Sequence, residues 1–196
     1  MNCPFCNLDK TDISNTIIEE TNNFLITPSK GSLCNGYLLI IPKQHVNSMN
    51  ELSNSQKVEL MKLIKNYREK FHRIYNRYPI LFEHGSSLLN SSQSSSSITH
   101  AHIHIVNHCF LDEDKIIRDI NLEEIPETQF FKNQNKNYIS YISPNFNLYI
   151  SYNFKPTSQQ MRIYIAQDLN ISNNYNWKSF NFDNNITSTI KDFQQK

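Results

Sequence analysis

The stretch Thr99-His-Ala-His-Ile-His-Ile-Val106 alternates histidine with apolar residues. In a β-strand, this alternation places His100, His102 and His104 on one face and leaves the residues between them for a hydrophobic core. Three imidazoles about 7 Å apart along a strand are costly to pack without polar partners. The pattern therefore favours a functional cluster. The alternatives are a surface strand that is rich in histidine by chance and a cluster that only binds metal.

The chemistry of imidazole indicates what such a cluster does. The unperturbed pKa of histidine is near 6.5, so the neutral ring is available as a nucleophile at pH 7. Attack on phosphorus divides one difficult displacement into two easier ones, and neighbouring imidazoles can donate to the phosphoryl oxygens and the leaving group. The cluster is typical of phosphoryl or nucleotidyl transfer without a catalytic metal.

The rest of the chain predicts a mixture of strands and helices. Before the histidines we expect strands over 24–27, 37–41 and 79–84, and an amphipathic helix from the capping box at Ser53 and Gln56 to about Tyr75. After them we expect a charged connector over 112–127, a hairpin over 138–152, a helix opened by a capping box at Thr157 and Gln160, and a helix over 185–193.

Composition excludes several classes of protein. The chain has 196 residues, enough for one domain with a modest extension. The formal net charge is +1, from 19 Lys and Arg against 18 Asp and Glu, which gives no reason to expect a DNA or membrane-surface partner. The longest strongly apolar run, Leu38–Pro42, is far too short for a membrane span, and the amino terminus is too polar for a signal peptide. We therefore expect a cytoplasmic protein.

Three motifs resemble a known family, the histidine-triad (HIT) superfamily. The first is His100-Ala-His-Ile-His-Ile-Val106, which resembles its triad signature. The second is Leu39-Ile-Ile-Pro-Lys-Gln-His45-Val46, similar to the family's apolar strand ending in Pro-Lys-x-His. The third is Cys3-Pro-Phe-Cys6, as in bacterial-type members. Gln160-Met-Arg162 and Asn176-Trp-Lys178 look like the C-terminal extension of some bacterial HIT-like proteins.

The resemblance implies an α+β, HIT-like fold. It consists of an antiparallel sheet of about five strands with one long helix, plus a C-terminal extension of β-hairpin and helices. We therefore expect a HIT-like catalytic domain over residues 1–110 and an extension over 111–196 that packs on the same core. The resemblance also implies a homodimer formed through the long helix and the neighbouring strand.

The resemblance also implies roles for particular residues. His102 is the expected nucleophile, which forms a nucleotidyl-histidine, and His104 is expected to bind the phosphate. Ser97 is expected to donate to the phosphate or the leaving group, unless it is only one residue of the serine-rich loop over 86–98. Glu83 stands where many members have asparagine; it either orients a histidine or contacts substrate, or is a strand-end charge facing water. The implied activity is hydrolysis or nucleotidyl transfer at phosphoanhydride or phosphoramidate bonds of a nucleotide or nucleotide conjugate.

The cysteines suggest a metal. Cys3 and Cys6 can both coordinate one zinc ion from a single turn, but the site needs two further ligands. The resemblance supplies His45 and His100, so structural zinc is the expected cofactor. A redox pair is disfavoured because no thioredoxin-like βαβ pattern surrounds the cysteines, whereas a frayed terminus stays open as an alternative.

Some residues depart from the family pattern. Tyr37 stands where many nucleotide-hydrolysing members have histidine, and no acid lies between Glu20 and Glu51, where members place the residue that binds the ribose. These departures motivate an alternative, a catalytically weak nucleotide-binding or protein-interaction module on the same fold. A uridylyltransferase-like enzyme ranks lower, because that branch ends its motif in glutamine where this chain has His104.

Overall fold

One antiparallel sheet and four helices form the described part of this computed structural model, which comprises residues 3–87, 98–132, 136–154 and 157–194. The strands are β1 (Glu19–Glu20), β2 (Phe24–Pro28), β3 (Tyr37–Pro42), β4 (Ile80–Gly85), β5 (Ile103–Val106), β6 (Glu123–Glu124), β7 (Tyr138–Ile142) and β8 (Leu148–Ser151). The helices are α1 (Asn54–Tyr75), α2 (Glu113–Ile120), α3 (Gln160–Asp168) and α4 (Asp183–Gln194). The predicted α+β class is confirmed.

The sheet has the order β1-β2-β3-β5-β4-β7-β8-β6, and all neighbouring strands are antiparallel. The first five strands come from residues before 110, and the other three follow them. The prediction of about five strands is too low for the whole chain, because β7 pairs with the outer edge of β4 and the hairpin β7–β8 continues the same sheet.

Helix α1 begins and ends where the sequence predicts. The Ser53 hydroxyl accepts the Gln56 N–H at 3.3 Å, and the Gln56 side chain accepts the Ser53 N–H at 2.9 Å, which completes the capping box. The helix ends at Tyr75, and the capping residue Asn76 has a left-handed backbone (φ 53°), which asparagine tolerates well. Although α1 has 22 residues, neither it nor any other described helix is both long and apolar enough to cross a membrane.

Each face of the sheet carries its own apolar cluster. In β3, Leu38 and Ile40 face the cluster that includes α1, whereas Leu39 and Ile41 face the cluster that includes α2 and α3. Because both faces are covered, every residue of β3 is buried. The apolar run of this strand correctly predicted burial on two sides.

The connector predicted over 112–127 contains a helix that was not expected. Asp112 caps α2 by accepting the Lys115 N–H at 2.8 Å, and Ile116 and Ile120 are buried against the sheet. These isoleucines are four positions apart and form one apolar helix face. The many charged neighbours hide that face in the sequence.

The capping box predicted from Thr157 and Gln160 is wrong. The residue before α3 is Gln159, which has a left-handed backbone (φ 61°) and no side-chain cap. Its side chain instead accepts the Trp177 N–H at 3.3 Å and donates to Asn176 at 3.2 Å. Tertiary contacts with the following segment therefore override the local capping pattern.

Candidate active site and metal centre

A cavity of about 280 Å³ lies on the face of the sheet that α3 covers. Its walls come from the N-terminal segment, the turn after β2, strands β3 to β5 and the C-terminal segment. This volume is at the lower end of typical small-molecule sites. The residues that line it include Phe5, Phe82, His102, His104, Arg162 and Trp177.

His102 lines this cavity, and the backbone determines its tautomer. Its Nδ1 is 2.8 Å from the carbonyl oxygen of His100. Because a carbonyl only accepts hydrogen bonds, the neutral ring carries its proton on Nδ1. The lone pair is therefore on Nε2, which is the form that a nucleophilic imidazole requires.

His104 lies beside His102, with the two ring centroids 4.8 Å apart. Its ring stacks on Phe82 at a centroid distance of 4.4 Å and an angle of 13°. Its Nδ1 is 3.0 Å from the hydroxyl of Tyr37. The antiparallel register sets this arrangement, because His104 lies opposite Leu39 on β3 and opposite Phe82 on β4.

Burial keeps both imidazoles neutral at pH 7. Desolvation lowers the pKa of His102 to about 4, and the hydrogen bond to the His100 carbonyl opposes this only in part. Desolvation also lowers the pKa of His104 well below its usual value, and interactions with His102, His84 and Arg162 act in the same direction. Both rings thus stay in the uncharged form, in which one nitrogen donates and the other accepts.

His100 is buried and reaches the N-terminal cysteines. Its Nε2 is 2.8 Å from the Pro42 carbonyl, so Nε2 carries the proton and donates. Nδ1 then presents its lone pair to the sulfur atoms of Cys3 at 3.4 Å and Cys6 at 3.5 Å. The expectation of one strand face for all three histidines is only partly right, because β5 begins at Ile103, so that His100 and His102 precede the strand and only His104 lies in it.

Cys3, Cys6, His45 and His100 lie close enough together to hold one metal ion. One ligand atom from each lies within 4.8 Å of every other, and His45 Nδ1 is 3.2 Å from the sulfur of Cys6. Ordinary Zn–S and Zn–N bonds give a tetrahedron with edges of about 3.3–3.8 Å. The sulfur–nitrogen contacts of 3.2–3.5 Å suit that geometry. The donor set is that of a closed, structural site.

Glu83 is not brought to the histidines. It alternates along β4 with Phe82 and His84, which line the cavity, so its side chain faces the other side of the sheet. There its carboxylate accepts the Met49 N–H at 2.8 Å and the Tyr138 hydroxyl at 2.5 Å. It is only 1% exposed, so the alternative of a charge facing water does not describe it either.

We expect Glu83→Gln to reduce the pH dependence of stability. Burial raises the pKa of Glu83 to about 7, and the hydrogen bonds from Tyr138 and Met49 offset this only in part. Between pH 4.5 and 7 the unfolded chain loses a proton that the native state retains, so stability falls as pH rises through this window, by about 3 kcal/mol. Urea unfolding at several pH values gives the free energy of unfolding as a function of pH. The same pH dependence in wild type and variant would contradict this prediction.

The C-terminal segment contributes side chains to the cavity that the sequence analysis assigned no role. Gln159, Arg162 and Trp177 all line it. The sequence did contain one signal for Arg162, because this charged residue follows Met161 on a helix face that is otherwise apolar. Ser97 lies outside the described residues, so its contact with phosphate stays a prediction.

We expect Gly31→Ala to displace the segment that carries Trp177. Gly31 has a left-handed backbone (φ 65°), and a Cβ there would lie 2.7 Å from the Phe180 carbonyl oxygen and 2.8 Å from the Trp177 Cα. Trp177 is the only tryptophan, so its emission reports the displacement directly. We expect Gly31→Ala to shift the emission maximum and to lower the melting temperature. Ser179→Ala, at an exposed position, is the control and should change neither. An unaltered emission spectrum in Gly31→Ala would contradict this packing.

Comparison with known proteins finds several to which this chain is similar. The fission yeast Schizosaccharomyces pombe has a relative, adenosine 5'-monophosphoramidase hnt1, that is 27% identical over 106 residues, or 54% of this chain and 74% of that protein. A hypothetical protein from Leishmania major is 23% identical with a TM-score of 0.44, covering 60% of this chain and 90% of that one. A HIT family member from Bacillus subtilis is 18% identical with a TM-score of 0.45, covering 54% and 72%.

The match to a protein family is more extensive. The family described as "Scavenger mRNA decapping enzyme C-term binding" matches residues 2–118. This match includes the cysteine pair, both strands that flank β5 and the three histidines, and leaves out the segment that contains Arg162 and Trp177. Because it covers 117 of the 196 residues, the chain belongs to this family and is a member of the HIT superfamily, as its motifs predict.

Proposed function

We propose that the chain is a nucleotide hydrolase or nucleotidyltransferase that works through a covalent nucleotidyl-histidine on His102. The observation that carries this proposal is the hydrogen bond from Nδ1 of His102 to the His100 carbonyl, which leaves Nε2 of a cavity-lining imidazole unprotonated. The substrates are phosphoanhydrides or phosphoramidates of nucleotides. The name of the fission yeast relative, a monophosphoramidase, supports this class.

The first chemical step is assigned to His102. Its Nε2 attacks the phosphorus that carries the nucleoside, forming an N–P bond while the bond from phosphorus to the leaving group breaks; a leaving amine takes up one proton from solvent, and a phosphate leaves as its anion. The positive charge that develops on the ring is stabilised by its Nδ1–H, which donates to the His100 carbonyl. Water then attacks the same phosphorus, the N–P bond breaks, and a nucleoside monophosphate leaves with neutral His102 restored.

His104 is assigned to the phosphate. If the Tyr37 hydroxyl donates to Nδ1 of His104, the neutral ring carries its proton on Nε2 and can donate it to a phosphoryl oxygen. Tyr37, the residue that departs from the family pattern, then selects the tautomer that binds phosphate. The predicted donor to the leaving group, Ser97, lies outside the described residues.

Zinc is assigned a structural role. Cys3, Cys6, His45 and His100 would hold the ion with four protein ligands, which leaves no open position for substrate. When bound, zinc supplies a cross-link between the N-terminal segment and the backbone that precedes His102. The Nε2–H of His100 donates to the Pro42 carbonyl and so orients its ligating nitrogen.

Trapping the intermediate tests the function. The purified chain is incubated with adenosine 5'-phosphoramidate, quenched in alkali, and weighed by intact mass spectrometry. Release of AMP and a mass increase of one adenylyl group, stable in alkali and lost in acid, are expected of a P–N bond. Nucleotide binding by calorimetry with neither turnover nor adduct would instead favour the binding module.

The homodimer and the cytoplasmic location stay predictions. The structure limits how a dimer could form, because β4 pairs with β5 along one edge and with β7 along the other. On α1, Arg68 donates to the carbonyls of Ser143 and Pro144, so the extension also covers part of this helix. A dimer that adds strands to β4 would have to displace β7.

A further inference from the structure

The cavity is completed by residues outside the family match. Gln159, Arg162 and Trp177 lie beyond residue 118, yet they line the same cavity as His102 and His104. The C-terminal segment therefore forms one wall of the site that contains the proposed nucleophile. A wall of this kind contacts whatever the substrate carries beyond the reacting atom.

Arg162 is a buried cation in this wall. Its side chain is 3% exposed, its Nη2 donates to the Gly31 carbonyl at 2.6 Å, and its Nε donates to the Tyr175 carbonyl at 2.9 Å. These carbonyls fix the guanidinium but do not neutralise it. No carboxylate of residues 3–87, 98–132, 136–154 or 157–194 lies within ion-pair distance of Arg162.

The other cation that lines the cavity is already paired. Lys30 is an exposed residue, and its Nζ lies 2.8 Å from the carboxylate of Asp12. Asp9 and Asp12 line the same cavity, but neither lies within ion-pair distance of Arg162. A buried charge without a counter-ion is unfavourable, so an anionic ligand would balance the charge of Arg162. A guanidinium has five N–H donors, and two of them are used by the carbonyls of Gly31 and Tyr175.

Arg162 also lies close to the proposed phosphate site. Its guanidinium carbon is 5.4 Å from the centre of the Tyr37 ring, and the Tyr37 hydroxyl is 3.0 Å from Nδ1 of His104. An anion held by Arg162 would therefore neighbour the phosphoryl group held by His104. Phosphate oxygens, like those of carboxylates, match the planar fork of arginine, and a phosphate of the substrate is the anion that would lie beside His104.

We propose that Arg162 forms a subsite for a phosphate of the departing group, so that the chain prefers nucleoside polyphosphates or dinucleoside polyphosphates to phosphoramidates with an uncharged leaving group. This inference rests on the proposed function. When the phosphorus that carries the nucleoside is attacked, every further phosphate of the substrate belongs to the group that departs. The subsite holds that group during attack by His102 and discriminates against substrates that lack it.

Calorimetric titration of the full chain with inorganic pyrophosphate tests the subsite without turnover. Wild type is expected to bind pyrophosphate. Arg162→Gln, which retains an N–H donor but loses the charge, should bind it about 10- to 100-fold more weakly. Lys178→Met removes an exposed cation beside Trp177 that does not line the cavity, and should bind as wild type does.

Three outcomes would overturn the subsite: no binding by wild type, equal affinity in Arg162→Gln, or an equal loss in Lys178→Met. Because loss of the contacts with Gly31 and Tyr175 can unfold Arg162→Gln, Arg162→Lys is the second variant. It keeps the charge but loses the planar fork, so it should bind pyrophosphate more weakly than wild type and more tightly than Arg162→Gln. A folded Arg162→Lys that binds no better than Arg162→Gln contradicts the proposal.

Kinetics separate this proposal from its alternatives. Arg162→Gln should lower kcat/KM for diadenosine triphosphate by about 10- to 100-fold and that for adenosine 5'-phosphoramidate by less than about threefold. An equal loss on both substrates would assign Arg162 to positioning His104 through Tyr37 and reject the subsite. If wild type turns over neither substrate, the proposed function fails, and the pyrophosphate titration still decides the subsite.

Discussion

Replacing His102 with alanine is expected to lower kcat/KM for adenosine 5'-phosphoramidate by about 10⁴-fold and to abolish the covalent adduct. The reason is that alanine removes the nitrogen that bonds to phosphorus, and water alone is a poor substitute for a positioned nucleophile. Initial rates and intact mass spectrometry measure the two effects. The loss should appear in kcat, because His102 acts in the chemical step.

A second histidine variant controls for the general effect of losing an imidazole. His72 lies on the exposed side of α1, where its ring stacks on Tyr78 at 4.6 Å, and it does not line the cavity. His72→Ala should retain the activity of wild type. If His102→Ala stays within about threefold of wild type while its circular dichroism spectrum is unchanged, His102 is not the nucleophile.

His104→Ala separates binding from chemistry at the same site. If His104 only donates to a phosphoryl oxygen, its loss should cost about 10²–10³-fold, less than the loss of His102. The adduct on His102 should still form, although more slowly. An alanine variant at His104 that forms no adduct while His102→Ala does would exchange the two roles.

Replacing Cys3 or Cys6 with serine is expected to remove one bound zinc per chain and to lower the melting temperature by more than about 10 °C. A structural zinc contributes on the order of 10 kcal/mol to folding of a small domain. For a chain of this length each 1 kcal/mol corresponds to about 2–4 °C, so even part of that contribution gives a large shift. Metal analysis by mass spectrometry and thermal unfolding measure the two effects.

Cys109→Ser is the matched control, because Cys109 is an exposed free thiol that is not part of the four-residue cluster. It should retain zinc and the melting temperature of wild type. A chelator should lower the melting temperature of wild type as Cys3→Ser does, and should have little effect on the Cys3→Ser variant itself. A wild-type chain that contains no zinc after expression in zinc-supplemented medium would contradict the assignment.

The metal site and the cavity are joined by Phe5, which lies between the two cysteines in sequence. Its ring is 5.7 Å from that of His100 and 5.2 Å from that of His102, and it lines the cavity. Loss of zinc should therefore release one wall of the cavity as well as the N-terminal turn. Reduced nucleotide affinity in Cys6→Ser, measured by calorimetry, would reflect this connection.

The sequence by itself determined those features that depend on short-range patterns. The α1 capping box, the buried strand β3 and the apolar alternation of Ile103 and Ile105 each follow from neighbouring residues, and the structure confirms them. The family resemblance rests on motifs of the same kind. It brought the cysteines together with His45 and His100, which the fold places in one cluster.

Only the tertiary structure decided how distant segments meet. Arg162 reaches the cavity because α3 packs across the sheet, and Trp177 reaches it from the segment that follows α3. Asp9 and Asp12 also line the cavity, although they precede β1 and lie outside the range between Glu20 and Glu51 in which the family pattern places an acid. No local pattern records such contacts, since they depend on which elements pair across the fold.

Glu83 shows the same limit within a single strand. Its place in β4 is evident from the sequence, but the face to which its carboxylate turns depends on the register with β5 and β7. A shift of one residue would exchange its position with that of Phe82 or His84. The partners that occupy each side of the sheet, Tyr138 for Glu83 and His104 for Phe82, come from segments that follow in the chain, so packing alone decides which side chain meets the substrate.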